Sequence, residues 1–117
     1  MAWSLRSLGS IAQKEGRFDD AEALYRESYE LTAAAVGEDT ADIAITVYFQ
    51  AELAMDRGEL DRAQRLFERS LEIREERLGP DHKTVGETLF FLAQLHLAKG
   101  ETGRARDLTE RTLRIAR

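Results

Sequence analysis

The 117 residues contain no cysteine, no asparagine and a single proline. Without cysteine there can be no disulfide, no thiol nucleophile and no cysteine metal site, and the absence leaves the compartment open. A lone proline leaves the backbone free for long helices, because proline inside a helix costs about 3 kcal/mol. No apolar run reaches the ~18 residues of a membrane span. The start, Met1-Ala2-Trp3-Ser4, is followed by neither a basic stretch nor an apolar one, so it does not read as a signal peptide. These absences predict a soluble, cytoplasmic protein that does not engage a membrane. The net charge of −5 argues against a nucleic-acid binder that works by neutralising phosphates.

Recognisable reaction chemistry is missing as well. His82 stands beside Asp81, a pair that reads as a surface turn, and His96 falls on a helical packing stripe where a neighbour would hold it. The two histidines are not four apart, so the helix-borne zinc arrangement does not occur. Ser4, Ser7 and Ser10 have no local histidine to activate them and no strand-turn-helix elbow to present them. The glycines stand singly, as helix stops, and do not form a phosphate-cradling loop. Asp19-Asp20 and Glu75-Glu76 read as solvated helix faces and not as an acid/base couple. The expectation is a protein that is not an enzyme and that uses no cofactor and no metal.

What is present is one unit written three times. The stretch from Gly58 to Ile73 (GELDRAQRLFERSLEI) repeats the stretch from Gly16 to Leu31 (GRFDDAEALYRESYEL) after 42 residues. A further 42 residues on, the pattern returns as Gly100, Glu101, Ala105, Leu108, Thr112 and Ile115. A period of this length means a stacked helical array. Each unit then buries its apolar face on its neighbours and needs no globular centre.

Periodicity and stop residues place six helices. Residues 3–15 carry Leu5, Leu8, Ile11 and Ala12 at helical spacing, and Gly16 stops them. Residues 18–36 put Ala21, Leu24, Tyr25, Ser28, Tyr29 and Leu31 inward, with Asp19, Asp20 and Glu22 at the favourable end of the helix dipole, and Gly37 ends that helix. Residues 40–57 carry Ile43, Val47, Ala51 and Ala54 as one stripe. Residues 60–78 end at Gly79-Pro80. Residues 82–99 follow, with Thr84 and Glu87 at capping-box spacing, and residues 102–117 complete the chain. The connections are short, so successive helices must be antiparallel neighbours. Gly9, Ala51 and Ala93 are equivalent, as are Ala21, Ala63 and Ala105, and Ser28, Ser70 and Thr112; these small residues mark close helix–helix approach. Leu24, Leu66, Leu108, Tyr25 and Phe67 fill the space between hairpins, each buried apolar side chain contributing roughly 1.5–3 kcal/mol.

This pattern resembles the tetratricopeptide repeat. The shared grammar reads here as Val47, Gln50, Ala51, Ala54, Gly58, Leu60, Ala63, Phe67 and Ser70. The 42-residue spacing, with Leu-Glu-Ile-Arg-Glu-Glu-Arg-Leu-Gly-Pro-Asp-His at 71–82, is similar to the kinesin light chain subtype, which is also widespread in bacteria; the high arginine and alanine content agrees with a bacterial source. The resemblance implies an all-α, right-handed superhelical solenoid of three antiparallel helical hairpins, forming a single array over 1–117 with repeats near 1–36, 40–78 and 82–117. It implies a scaffold whose first helix in each hairpin lines a concave groove for a protein or peptide partner. Kinesin light chain repeats usually carry asparagines there. The matching places in this chain are Arg6-Ser7, Tyr48-Phe49 and Phe90-Phe91, so the amide ladder that clamps a peptide backbone is gone.

Projecting the side opposite the packing stripe gives the groove candidates: Trp3, Arg6, Ser10 and Gln13; Ile45, Tyr48, Glu52 and Met55; Glu87, Phe90, Gln94 and Leu97. The second and third groove helices are apolar nearly all round, which requires burial on every side or contact with something on the extra face. Contiguous Tyr48, Met55, Phe90 and Leu97 would form an apolar patch with Arg6, Glu52, Glu87 and Gln94 as polar rim. The expected ligand is an amphipathic helix or apolar peptide. Phe49, Leu53 and Phe91 project sideways and are read as packing residues.

The competing expectation is a structural module that links other domains or forms a homo-oligomer through its end helices. Residues 1–42 hold four basic and nine acidic residues, and residues 85–117 six and four. An acidic start and a basic end would suit end-to-end stacking; drift on solvated faces explains the same numbers. Thr102 stands where Phe18 and Leu60 stand, and Thr109 where Tyr25 and Phe67 stand. Losing both apolar contacts predicts that no hairpin follows and that Arg117 lies near the end of the array.

Overall fold

A computed structural model describes residues 2–116. Six helices follow one another: α1 Ala2–Lys14, α2 Phe18–Val36, α3 Ala41–Asp56, α4 Leu60–Leu78, α5 Lys83–Ala98 and α6 Thr102–Ala116. No strand occurs among the described residues. Gly16, Gly37, Gly58, Gly79 and Gly100 all have positive φ, between 77° and 97°, and they recur every 21 residues. Glycine enters that region without steric cost, so the chain reverses at each one and a helix cannot run through.

The helices pair as α1/α2, α3/α4 and α5/α6, and consecutive hairpins meet through α2 on α3 and α4 on α5. The result is a solenoid of three antiparallel helical hairpins with two junctions. At the first, Tyr25 of α2 stacks on Phe49 of α3, with centroids 5.9 Å apart, and Leu53 packs with Ala12 and Ala21. At the second, Phe67 of α4 stacks on Phe91 of α5 at 5.6 Å, and Leu92 and Leu95 pack on Ala51, Ala54 and Ala63. The predicted close-approach sites are where the backbones meet: a Cβ on Gly9 would fall 2.6 Å from the Tyr25 ring. The fully buried Ser70 donates through Oγ to the Ala44 carbonyl at 2.9 Å, joining α4 to α3.

Several expectations need correction. The capping-box spacing of Thr84 and Glu87 is not used. His82 is the N-cap of α5, and its Nδ1 accepts from the Thr84 amide at 3.1 Å. Leu31 does not face inward: it is 47% exposed, and Thr32 takes the buried place. Its counterpart Ile73 is covered by Ile43 and Ala44 of α3. The equivalents of those two are residues 1 and 2, whose side chains lie outside the described set. Leu8 and Ile11 are also exposed, at 52% and 53%. Ile11 is equivalent to Leu53 and Leu95, each covered by the hairpin before it; α1 has no such neighbour among the described residues.

Candidate interaction groove

The groove candidates sit on α1, α3 and α5 because these helices open the three hairpins. On α1, Arg6 is half-buried and its Nη1 donates to Thr46 Oγ1 at 3.4 Å. Gln13 accepts from the Tyr25 hydroxyl at 2.8 Å and donates to Asp56 at 2.6 Å, so it braces the first junction. The Trp3 side chain lies outside the described set. On α3, Ile45, Tyr48, Glu52 and Met55 are all half-buried. On α5, Glu87 and Gln94 are exposed, and Phe90 and Leu97 present 49% and 56% of their surface.

Tyr48 is the hub. Its ring meets Phe49, Phe67 and Phe91 edge-on at 6.0, 5.8 and 5.6 Å. Phe91 in turn meets Phe90 at 5.5 Å. A chain of rings therefore runs from buried Tyr25 through Phe49, Tyr48 and Phe91 to the exposed Phe90. Edge-on geometry of this kind adds about 0.5–1.5 kcal/mol per pair beyond area burial. Phe49 and Phe91 pack sideways, as expected, and Leu53 is 3% exposed.

Beneath Tyr48 lies a cation that the sequence analysis missed. Arg74 of α4 is 4% exposed, and its guanidinium carbon sits 4.6 Å from the Tyr48 centroid. It donates to the Thr84 carbonyl at 3.2 Å and to Thr88 Oγ1 at 2.9 Å. Cation–π contact and these bonds offset the cost of burying the charge. The sequence did carry a signal: Ala63, Phe67, Ser70 and Arg74 share one helical stripe.

Burial sets the local acid–base behaviour. It holds the Tyr48 hydroxyl well above the usual range, and the charges of Glu52 and Glu87 add to the effect. Burial also raises Glu52, with the Asp56 charge second, while the Tyr48 hydroxyl bond works the other way. The Arg74 guanidinium is lowered by its burial. Tyr25 is pushed up to about 12 by burial and then by the Glu52 charge. No group of three or more His, Asp or Glu among the described residues is placed to hold a metal. His96, 2% exposed, bonds Glu101 through Nδ1 at 2.7 Å, the packed histidine the sequence suggested.

The surface near these residues opens in three clefts. One of about 520 Å³ is lined by Lys83, Gly86, Glu87, Phe90 and Ile115 among others. A second of about 460 Å³ includes Arg6, Ile11, Ile45 and Phe49. A third of about 270 Å³ includes Gln94, Leu97, Ala105 and Thr109. No helix among the described residues is long and apolar enough to cross a membrane.

A tetratricopeptide repeat profile matches residues 42–117, and a second one matches residues 1–42. A comparison with curated proteins gives no match. Among solved structures, BtubC (BKLC) from P. vanneervenii is similar at a TM-score of 0.89 and 26% identity, over 98% of this chain and 46% of that one. Two structures of the nearly identical TPR-like repeats of a Podosopora anserina putative kinesin light chain align at TM-scores of 0.83 and 0.84 with 21% and 20% identity. They cover 96% of this chain and 53% of theirs. The chain thus spans about half the length of the solved structures it matches. Repeats of this kind are generally non-catalytic and generally bind proteins. From the glycine-punctuated hairpins, the stacked junctions and these matches together, the chain belongs to the tetratricopeptide repeat family, and its solenoid is that of kinesin-light-chain-like repeats.

Proposed function

We propose that the chain is a non-enzymatic interaction scaffold, a single array whose concave face takes an apolar-anchored peptide or helix from a cytoplasmic protein partner. The observation that carries the reading is Phe90. It ends a continuous chain of packed rings, yet 49% of its surface is left uncovered beside a cleft of about 520 Å³. A rigid aromatic next to a hollow is the usual form of an anchor site. Glu87 and Lys83 flank it and would orient a polar end of the ligand. In this reading Tyr48, Glu52, Met55 and Ile45 would form the floor, with Arg6, Gln94 and Leu97 towards the two ends.

The test is a peptide-display selection on the wild-type protein, counter-screened against Phe90→Ser. Phe90 is half exposed, so its replacement leaves the fold standing. Tyr48→Ala is a poorer probe, because the ring also supports three neighbours and a buried arginine. Enriched peptides with spaced apolar residues that fail on Phe90→Ser support the reading. Peptides that bind both proteins alike, or no enrichment from the folded protein, remove it.

A further inference from the structure

The two junctions carry a polar clamp at the same repeat positions. At the first, Arg57 meets Asp19 at 3.2 Å and Glu22 at 3.9 Å, and Arg62 meets Glu22 at 2.8 Å. Glu59 stands between the two arginines and bonds both. At the second, Lys99 meets Asp61 at 2.7 Å and Gln64 at 2.6 Å. Each incoming hairpin thus brings the pattern basic, acidic, basic, as Arg57, Glu59, Arg62 and again as Lys99, Glu101, Arg104. Each receiving hairpin offers acidic or neutral groups, Asp19 with Glu22 and Asp61 with Gln64.

At the two ends of the solenoid every one of these signs is reversed or lost. The first hairpin reads Glu15, Arg17, Asp20 at the incoming positions, and the last reads Gly103, Arg106 at the receiving ones. Glu15, Asp20 and Arg106 are all exposed. Drift on solvated faces gives no reason for the incoming pattern to invert at the same end-to-end register in which the receiving pattern inverts. A junction between Arg106 and the pair Glu15 and Asp20 restores attraction.

The apolar parts agree with that register. Ile11, 53% exposed, is equivalent to Leu53 and Leu95, which are 3% and 0% exposed inside their junctions. The matching socket on the last hairpin is the cleft of about 270 Å³ lined by Ala93, Leu97, Ala105 and Thr109, with Arg106 at its rim. The ring pair of the internal junctions, Tyr25–Phe49 and Phe67–Phe91, becomes Thr109 facing Ser7. Both members are small, so neither side obstructs the other.

We propose that the α1/α2 end of one chain docks in repeat register on the α5/α6 end of a second copy of this chain, head to tail. Such a contact is heterologous and does not close on itself, so it extends the solenoid. With hydroxyls in place of stacked rings and exposed ion pairs as clamp, the contact is reversible and salt-sensitive. In that register Phe90 takes the place of Tyr48 and Leu97 lines the socket, so the contact borders the last helix of the groove; Arg106, Glu15 and Asp20 are not groove residues, and reversing their charges tests the contact separately.

The experiment is sedimentation velocity over a concentration series, at low and high salt, on the 117-residue protein and three variants, each checked for helical content. The wild type is expected to show a mass that rises with concentration and falls with salt. Arg106→Glu, and separately Glu15→Arg with Asp20→Arg, should each weaken association about tenfold or more. Mixing those two variants should restore it, because each then presents the face that the other lost. Ile11→Glu should abolish association without a charge partner to rescue it. A protein that stays monomeric at every concentration overturns the proposal, and so does association that survives the charge reversals or that is not restored by mixing.

Discussion

The two junctions occupy identical repeat positions and use different chemistry. The first seats a tyrosine against a glycine, Tyr25 against Gly9, and ties its hydroxyl to Gln13 at 2.8 Å. The second seats Phe67 in the pocket where Ala51 replaces that glycine. The ring with the extra atom goes with the residue that has no side chain. The first junction adds the Arg57 and Arg62 clamp, whereas the second adds buried Leu92, the Arg74 cation under Tyr48 and the Arg111–Glu75 pair at 2.5 Å. A solenoid slot therefore fixes a volume and a direction, and leaves open whether a hydroxyl or a methyl group fills it.

That contrast can be broken most severely at the second junction. Phe67→Ala removes a fully buried ring with two aromatic neighbours and should cost about 3–5 kcal/mol in denaturant unfolding. Gly9→Ala should come next, at about 1–3 kcal/mol, because the added methyl meets a ring held in place by Phe49 and Gln13. Tyr25→Phe should recover most of that loss when combined with Gly9→Ala only if the hydroxyl bond is what pins the ring. Alone, Tyr25→Phe should cost about 0.5–1.5 kcal/mol.

Smaller effects test the clamp. Arg62→Ala should cost under about 1 kcal/mol, and less at high salt. The Glu22 carboxyl is held below its ordinary 4.5 chiefly by its bond to Arg62. An acid lowered by folding binds its proton less readily in the folded state than in the unfolded one. The clamp's contribution is therefore complete at neutral pH and is lost as pH falls below about 4.5 through the folded value. Glu52 has the opposite sign, since burial raises it. Its charge disfavours folding at neutral pH, and the penalty disappears as pH falls and it takes up a proton. Glu52→Gln should thus raise the melting temperature at pH 7 and lose that advantage in acid.

The hairpin register was legible because punctuation and spacing are local. Five glycines with positive φ stop the helices, and the small residues at Gly9, Ala21, Ala51 and Ala63 report how near the backbones come. Less was legible where a side chain's surroundings come from a third element. Arg74 is buried because Tyr48 of α3 and Thr84 and Thr88 of α5 enclose it; the stripe of Ala63, Phe67, Ser70 and Arg74 on α4 marks its face, but the partners that hold its charge come from the other two helices. Leu8, Ile11 and Leu31 obey the apolar period and still stand exposed, since period says which face a residue shares and not whether a neighbour covers that face. His82 caps α5 with a ring nitrogen, a role usually taken by a short hydroxyl or carboxyl side chain. Among the groove candidates the sequence did not show that Tyr48 is half withdrawn into the packing while Phe90 stays 49% exposed.

Most contacts in this chain join each helix to those just before and after it, and the rest reach only to the next helix but one, as Tyr48 of α3 reaches Phe91 of α5 and Arg62 of α4 reaches Glu22 of α2. Few long loops of chain must close before a contact forms, which favours fast folding. It also means that the ends can open while the middle stays shut. Amide hydrogens of α3 and α4, flanked on both sides, should exchange slowest, with those of α1 and α6 faster, so the molecule would come apart from its tips inward, like a zip.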